Sequence, residues 1–330
     1  MKTKIFSVLV CLMATITVQA QQIAVVTKDG ATTLHRTLEA AITAATANSV
    51  IYLPGGGFPI SDDVKITKKL TIIGIGHKGK GENADGYTTI TGNLYFDKES
   101  NGSALMGVYM TGTVYIGNDG NEVDDILVRY CNINEVRVQN SKCLGTVVNQ
   151  NYIRNNSYFN GAGGDFSNCV AYGIRGVSGG TIANNILVRT GGGSTGDFAA
   201  ICECTNCSII NNVFKCSYTT SDSYYSGNIV FGNSALGGYY ISNDQKDLNY
   251  FLEGFGLGDV YEKDLGVSPN SVFHFKDDYK QYEGYVGIYG GTGFSDGQLP
   301  PAPFIVEKSI PEQTDASGNL NIRIRVKAGE

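Results

Sequence analysis

The sequence predicts an all-β fold: a coil of stacked parallel strands, covered at its start by an amphipathic helix and followed by a β-hairpin. Three observations predict it. Short β-type runs recur around asparagine, as in "TIANNILV" (181–188) and "SIINNVF" (208–214). Glycine is high at 43 residues and only 17% of residues are charged, which suits many tight turns and short strands better than helices. Between the copies no helix-period stripe appears, so the repeat is one of strands.

Taken in order, the chain begins with "MKTKIFSVLVCLMATITVQAQQ". Lys2 and Lys4 precede an apolar stretch at 5–18, and Val18 and Ala20 form a small-residue cleavage site before Gln21. Residues 1–20 read as a secretory signal, too short for a membrane span. The expected location is therefore secreted: periplasmic, cell-surface or extracellular. Cys11 is not at the cleavage point, so no lipid anchor is expected, and no later segment is apolar enough to span a bilayer. The main domain is placed at 21–297, with a linker and hairpin at 298–330.

The domain opens on "TLHRTLEAAITAATANSVIYLPGG" (33–56). Leu34, Leu38, Ile42 and Ala45 share one helical face, and the helix ends near Asn48 before a strand at 50–53. Such a helix would cover the first apolar layer of a solenoid. "KKLTIIGIG" (68–76) is then an early coil.

The repeat reduces to a template: Val or Ile, two free positions, Asn, one free position, apolar. It fits Ile90–Asn93–Tyr95, Val148–Asn151–Ile153, Ile182–Asn185–Leu187, Ile209–Asn212–Phe214 and, more loosely, Val230–Asn233–Ala235. Val128–Cys131–Ile133 fits with Cys for Asn, and matches ending at Tyr158 and Val272 are set aside as background. From Val128 the copies start 20, 34, 27 and 21 residues apart. In stacked coils the asparagine takes the corner, where one residue leaves the strand conformation, often with positive φ. Its amide can bond to the asparagine one coil away, in a buried ladder of Asn93, Asn151, Asn185 and Asn212, with Cys131 as a substituted rung.

The order of amphipathic helix, "VIYLPGG", "LTIIGIG" and repeated "I-x-N-N-x-[LVF]" resembles the pectate lyase-like right-handed parallel β-helix superfamily over residues 33–236. "VGIYGGTGFSDGQLPPAPFI" (286–305) is similar to the end of secreted β-helix proteins of the Bacteroidetes. The resemblance implies a right-handed parallel β-helix. It implies little about activity, because the fold hosts lyases, hydrolases, esterases and adhesins. It also implies that a catalytic site would lie outside the coil, near its loops.

After Leu236 the template stops. "YYISNDQKDLNYFLEGFGLGDVYEKD" reads as irregular covering structure with a short helix around 248–252. "QLPPAP" (298–303) is a break. "NLNIRIRVKA" (319–328) alternates Leu320, Ile322, Ile324 and Val326 with Asn321, Arg323, Arg325 and Lys327, a half-buried strand that "FIVEKSI" (304–310) can pair with. A lone hairpin is marginal in water, so it is expected to pack on the coil or on another chain.

For function, charge excludes one class. Loss of Lys2 and Lys4 leaves 23 basic residues against 31 acidic, a formal charge of −8, which argues against nucleic-acid binding by phosphate neutralisation. Cysteine gives little chemistry. Seven remain after Cys11, an odd number, and "CECTNC" (202–207) lacks the spacing of common zinc sites, so no metal is expected and the thiols read as interior packing. No cofactor is expected. "GNDGNEVDD" (117–125) is acidic enough for Ca²⁺ but lacks the spacing of a defined calcium loop, and reads as a solvated turn.

The loops at 156–168 and 190–200 bring weak catalytic candidates: Asp165 and Asp197, with Arg175 and Glu203 nearby. A lyase needs a cation for a uronate carboxylate and an Arg or Lys base; a glycosidase needs carboxylates at set separations. The chain lacks the Arg-x-Pro-x-x-Arg stretch of one pectate lyase family and the Gly-His-Gly and Arg-Ile-Lys motifs of polygalacturonase-like hydrolases. Its histidines, His35, His77 and His274, fall outside the central coils. Arg154 and Lys215 directly follow template copies, with Arg189 displaced by one, so they are expected to form a row of positive charge. Tyr218, Tyr224, Tyr225, Tyr239 and Tyr240 flank the last coil, where aromatics can stack on sugars. The expectation is a carbohydrate partner, an acidic polysaccharide bound at Arg154, Arg189, Lys215, Tyr224 and Tyr225 without catalysis. A lyase or hydrolase acting on uronate polymers and a structural spacer or adhesin are the alternatives.

Overall fold

A computed structural model describes residues 23–62, 64–77, 86–189, 200–215, 223–232, 245, 247–253, 255, 257–262, 267, 273–294, 304–311, 313–314 and 317–327. The chain is all-β, with long parallel sheets and few helices. One sheet has 11 strands and a second has 15, and the chain alternates between them. A representative pass runs through Leu127–Arg129 in the first sheet and turns a corner to Asn132–Ile133 in the second. It then bends to Glu135–Val138 and returns to the first sheet at Thr146–Asn149. Each pass lays its strands parallel to those of the pass before.

The second sheet therefore has two rows. A near row follows the corner; a far row holds Lys65–Ile66, Leu94–Phe96, Thr113–Ile116 and Glu135–Val138. Tyr152–Tyr158 and Val170–Arg175 run through both rows and join them. Strand alternation turns every second residue inward. In the first sheet the inward column is Ile51, Ile72, Leu105, Val128, Val148, Phe166, Ile182, Ile209 and Tyr225. In the near row it includes Ile90, Met110, Ile133, Ile153, Ala171, Leu187, Phe214 and Val230. All these residues belong to one buried core.

The corner explains the asparagine pairs, and it divides two tasks the sequence reading gave to one residue. The residue before each rung from Cys131 to Asn228 takes positive φ: Tyr130 (56°), Gln150 (55°), Asn168 (50°), Asn184 (57°), Asn211 (55°) and Gly227 (68°). The rung itself points inward and is buried, as are Asn151, Asn185, Asn212 and Asn228. The backbone N–H of each rung donates to the next rung's side chain: Cys131 to Asn151 Oδ1 at 2.9 Å, Cys169 to Asn185 Oδ1 at 2.9 Å, Asn185 to Asn212 Oδ1 at 2.9 Å and Asn212 to Asn228 Oδ1 at 2.9 Å. Each Asn Nδ2 also donates backward, to the carbonyl of Val128, Phe166, Ile182 or Ile209. Cys131 and Cys169 occupy the same slot, with Sγ 3.7 and 3.6 Å from the carbonyls of Leu105 and Val148.

Three details of the expected ladder change. The 34-residue gap contains a whole pass, Phe166–Cys169–Ala171, which the template missed because its rung is cysteine and its first residue aromatic. The rung after Asn212 is Asn228, followed by Asn249, which accepts from Asn228 N at 3.1 Å. Asn93 is not on the ladder. Ile90 lies in the near row rather than the first sheet, so its match falls at the second bend, where Asn93 accepts from Thr113 N and donates to Asp62.

At its start the first sheet is closed by Ile23–Val26 and Thr32–His35, its antiparallel strands. The helix is shorter than expected, Leu38–Ala44, capped by Thr37, and it buries Leu38, Ala41 and Ile42. Leu34 belongs to the strand before it and is 59% exposed. The helix expected around 248–252 is instead the strand Tyr250–Glu253, whose Asn249 continues the ladder; a short helix follows at Leu257–Val260.

From there the chain doubles back as a strap over the outside of the near row. Val260, Tyr261, Phe273, Phe275, Val286, Ile288 and Phe294 bury the outward residues Tyr152, Val170, Ile186, Val213, Ile229 and Phe231 in a second core. The corner asparagines pin it: Asn168 Nδ2 donates to the carbonyls of Ile288 and Gly290 at 2.9 and 2.7 Å, and Asn184 Nδ2 to that of Tyr285 at 2.8 Å. Phe304–Ser309 and Arg323–Lys327 form the antiparallel hairpin. It shares neither core, and Leu320, Ile322, Ile324 and Val326 are about half exposed, so among the described residues nothing covers its apolar face.

Candidate functional site

The residues singled out from the sequence do not form one site. Asp165 lies on the first sheet, exposed, and accepts from Thr181 N at 2.8 Å. Arg175 and Glu203 pair with each other at the end of the far row, Nε to Oε2 at 2.7 Å and Nη2 to Oε1 at 2.5 Å. Asp197 lies outside the described residues, as do residues 1–20, Cys216, Tyr218, Asn233, Tyr239, Tyr240 and 298–303.

The expected cation row also comes apart. Arg154 and Lys215 share a column but stand three passes apart, with Tyr172 and Val188 between them, because of the unrecognised Cys169 pass. At about 4.8 Å per pass that is about 14 Å. The Arg154 guanidinium faces its own protein. It donates to Asn132 Oδ1 and to the Met110 carbonyl at 2.6 Å, and it lies 4.7 Å over the Tyr109 ring. Burial holds its pKa below the usual arginine value. Arg189 lies over Tyr172 and donates to Asn156 Oδ1 at 3.2 Å. The Lys215 side chain is outside the described part. Tyr225 is an inward core residue, 1% exposed, so alternation leaves only Tyr224 of that pair at the surface.

A different row does come together. On the outer face of the far row, strand register aligns Lys65, Tyr95, Tyr115, Arg137, Tyr158 and Arg175, one per pass. All are half-buried. Their planar groups lie on one another: Tyr95 and Tyr115 stack at 4.8 Å with 6° between planes, and Arg137 lies 4.9 Å over Tyr158. Two residues earlier on each strand, hence on the same side, stand Asn93, Thr113, Glu135 and Asn156. Tyr158 Oη accepts from Asn156 Nδ2 at 3.4 Å, which leaves its own proton for an outside acceptor.

The charges of this outer row are matched internally. Lys65 Nζ lies 2.7 Å from Asp119 and 3.4 Å from Asp97; Arg137 meets Glu135 at 2.5 Å; Arg175 meets Glu203. Asp119 holds the Lys65 pKa above its ordinary value. Burial first, then the charge of Asp62, raises that of Tyr95, so the phenol stays a hydrogen-bond donor. Asp97 and Asp119 come from turns, and Asp119 takes φ 54° in "GNDGNEVDD", so this acidic run serves the outer row and the turn.

The sequence carried a signal for this row that the template blurred. "LYF" (94–96), "VYI" (114–116), "VRV" (136–138) and "SYF" (157–159) place Tyr or Arg between inward residues at intervals of 20 to 22. The match ending at Tyr158, set aside as background, falls at the same second bend as the Ile90 match ending at Tyr95.

Among the described residues, Cys131, Cys143, Cys169, Cys202, Cys204 and Cys207 are buried. Among the described residues, no group of three or more His, Cys, Asp and Glu side chains is placed to hold a metal ion, and no helix is long and apolar enough to cross a membrane. Comparison with protein-family models, with curated proteins and with solved structures found no match for the chain.

Proposed function

We propose that the chain is a right-handed parallel β-helix of the pectate lyase-like kind, exported from the cell, that binds a glycan without cleaving it. The parallel passes, the corner ladder and the two inward columns support the fold reading. The observation that carries the function is the aligned outer row of Lys65, Tyr95, Tyr115, Arg137, Tyr158 and Arg175 beside the half-buried amides of Asn93 and Asn156. Polar groups, planar in all but Lys65, repeat at about 4.8 Å over six passes and make a strip some 24 Å long. An extended polymer of hydroxyl-bearing rings matches such a strip, since tyrosine offers both an apolar ring and a polar tip. Binding is favoured over cleavage because the strip's carboxylates are held in ion pairs with its own cations, rather than facing each other across a gap.

The test is a panel of immobilised polysaccharides, read for retention of the protein and for new reducing ends or unsaturated products. Retention without products supports the proposal. Products at catalytic turnover would replace it with the lyase or hydrolase reading, and no retention by any polymer would leave the spacer reading.

A further inference from the structure

We infer that the glycan taken by the outer row of Lys65, Tyr95, Tyr115, Arg137, Tyr158 and Arg175 is neutral, a hydroxyl-rich chain lying along the stack of passes, and not a uronate polymer. This rests on the glycan-binding reading above. Three cations stand in the row, and four carboxylates already answer them: Asp97 and Asp119 at Lys65, Glu135 at Arg137 and Glu203 at Arg175. Asp62 adds a fifth acidic group beside Asn93 and Tyr95. A polyanion laid on this face meets net negative charge and must break an ion pair for each carboxylate it seats. The whole chain, at −6, also repels it at long range. A neutral sugar chain has no such conflict, because its hydroxyls can donate to the exposed carboxylates of Asp119 and Glu203 and accept from the guanidinium and phenol groups.

The rings set the mode of contact. Tyr95 and Tyr115 cover each other's faces, and Arg137 covers one face of Tyr158, so the row presents ring edges and phenol hydroxyls outward rather than open faces. Beside them Asn93 and Asn156 hold half-buried amides, while Thr113 and Glu135 are buried beneath the row. Recognition is then by hydrogen bonds repeated once per pass. It depends on the phenol groups, and salt leaves it unchanged because no net charge is neutralised.

The experiment uses affinity electrophoresis of the full chain through gels containing a soluble β-glucan, a galactomannan, an arabinoxylan, polygalacturonate or alginate, at low and high salt. Wild type should be retarded by at least one neutral polymer, equally at both salt levels. Tyr115→Phe with Tyr158→Phe keeps the stack and removes two hydroxyls, and should weaken that retardation about tenfold, equivalent to about 1.4 kcal/mol. Tyr115→Ala with Tyr158→Ala should abolish it, with circular dichroism reporting that the chain is folded. Retardation by polygalacturonate or alginate that fades with salt would overturn the neutral-ligand inference and leave glycan binding standing. Retardation by a neutral polymer that both double variants keep in full would overturn the assignment to the outer row. Failure of wild type to respond to any polymer would overturn the glycan reading itself.

Discussion

Asparagine is a poor strand former, yet in Asn184–Asn185 and Asn211–Asn212 each member has a separate task. The first bends the backbone into the left-handed region that asparagine tolerates and most residues resist. The second is buried and uses its carbonyl for the preceding rung's N–H and its amide for a carbonyl one pass back. Asn185→Leu would strand the Cys169 N–H and the Phe166 carbonyl, and should cost about 1–3 kcal/mol for each. Asn184→Gly keeps the left-handed bend and loses only the bond to the Tyr285 carbonyl, so it should cost about 0.5–1.5 kcal/mol. Urea titrations of the two variants check this; equal losses would show that the rung is not a buried satisfier. The sequence displayed both asparagines but could not say which one faced inward, because side-chain direction at a corner depends on the φ of its neighbour.

At the scale of elements, the parallel strands and the hairpin were legible in the spacing of apolar residues, and the strap was not. Its residues are spaced irregularly because it packs on the outer side of strands, where contact is set by the surface beneath rather than by a period of its own. The same outward surface hides the outer row: Tyr95, Tyr115 and Tyr158 alternate with core residues in any strand pattern, and only register shows that they align. Legibility also failed at Phe166–Cys169–Ala171, where a thiol and a ring fill places elsewhere held by amide and branched aliphatic. The strap hangs on few polar ties, and Asn168 supplies two of them, to Ile288 and Gly290, while accepting from Thr292. Asn168→Gly should therefore raise amide hydrogen exchange across 285–292 while leaving exchange in Thr146–Asn149 unchanged. The hairpin shares no core with the rest, so ending the chain after Asp296 should leave the urea midpoint of the body unmoved. A drop in that midpoint would mean that the exposed face of Leu320, Ile322, Ile324 and Val326 packs on the body in solution.

For the whole molecule, the interior thiols tie stability to alkaline pH. Cys131, Cys169 and Cys204 lie at different levels along the stack, and burial pushes each from 9.0 to about 12. Their first cause is desolvation, since a thiolate would lose its water without gaining a cation. The unfolded chain releases these protons near its ordinary thiol value, while the folded chain holds them until about pH 12. Above pH 9 the unfolded state therefore binds fewer protons, and stability falls as pH rises. Below pH 9 both states are protonated and the full stability remains. Each thiol contributes a slope of about 1.4 kcal/mol per pH unit in that window, so the three together remove about 4 kcal/mol per unit. Over the whole window that loss, about 12 kcal/mol, is of the size of the roughly 5–15 kcal/mol that holds a typical domain folded. Tyr261, buried and raised well above 10.0, adds a slope of the same sign at the upper end. Urea titrations on both sides of pH 9 should give a flat acid side and a steep alkaline side. Cys169→Asn places in the slot the amide that the Asn185 and Asn212 rungs already use, so it should fold and reduce the alkaline slope by about a third. A slope unchanged in that variant would mean that the alkaline loss arises elsewhere than in the rung thiols.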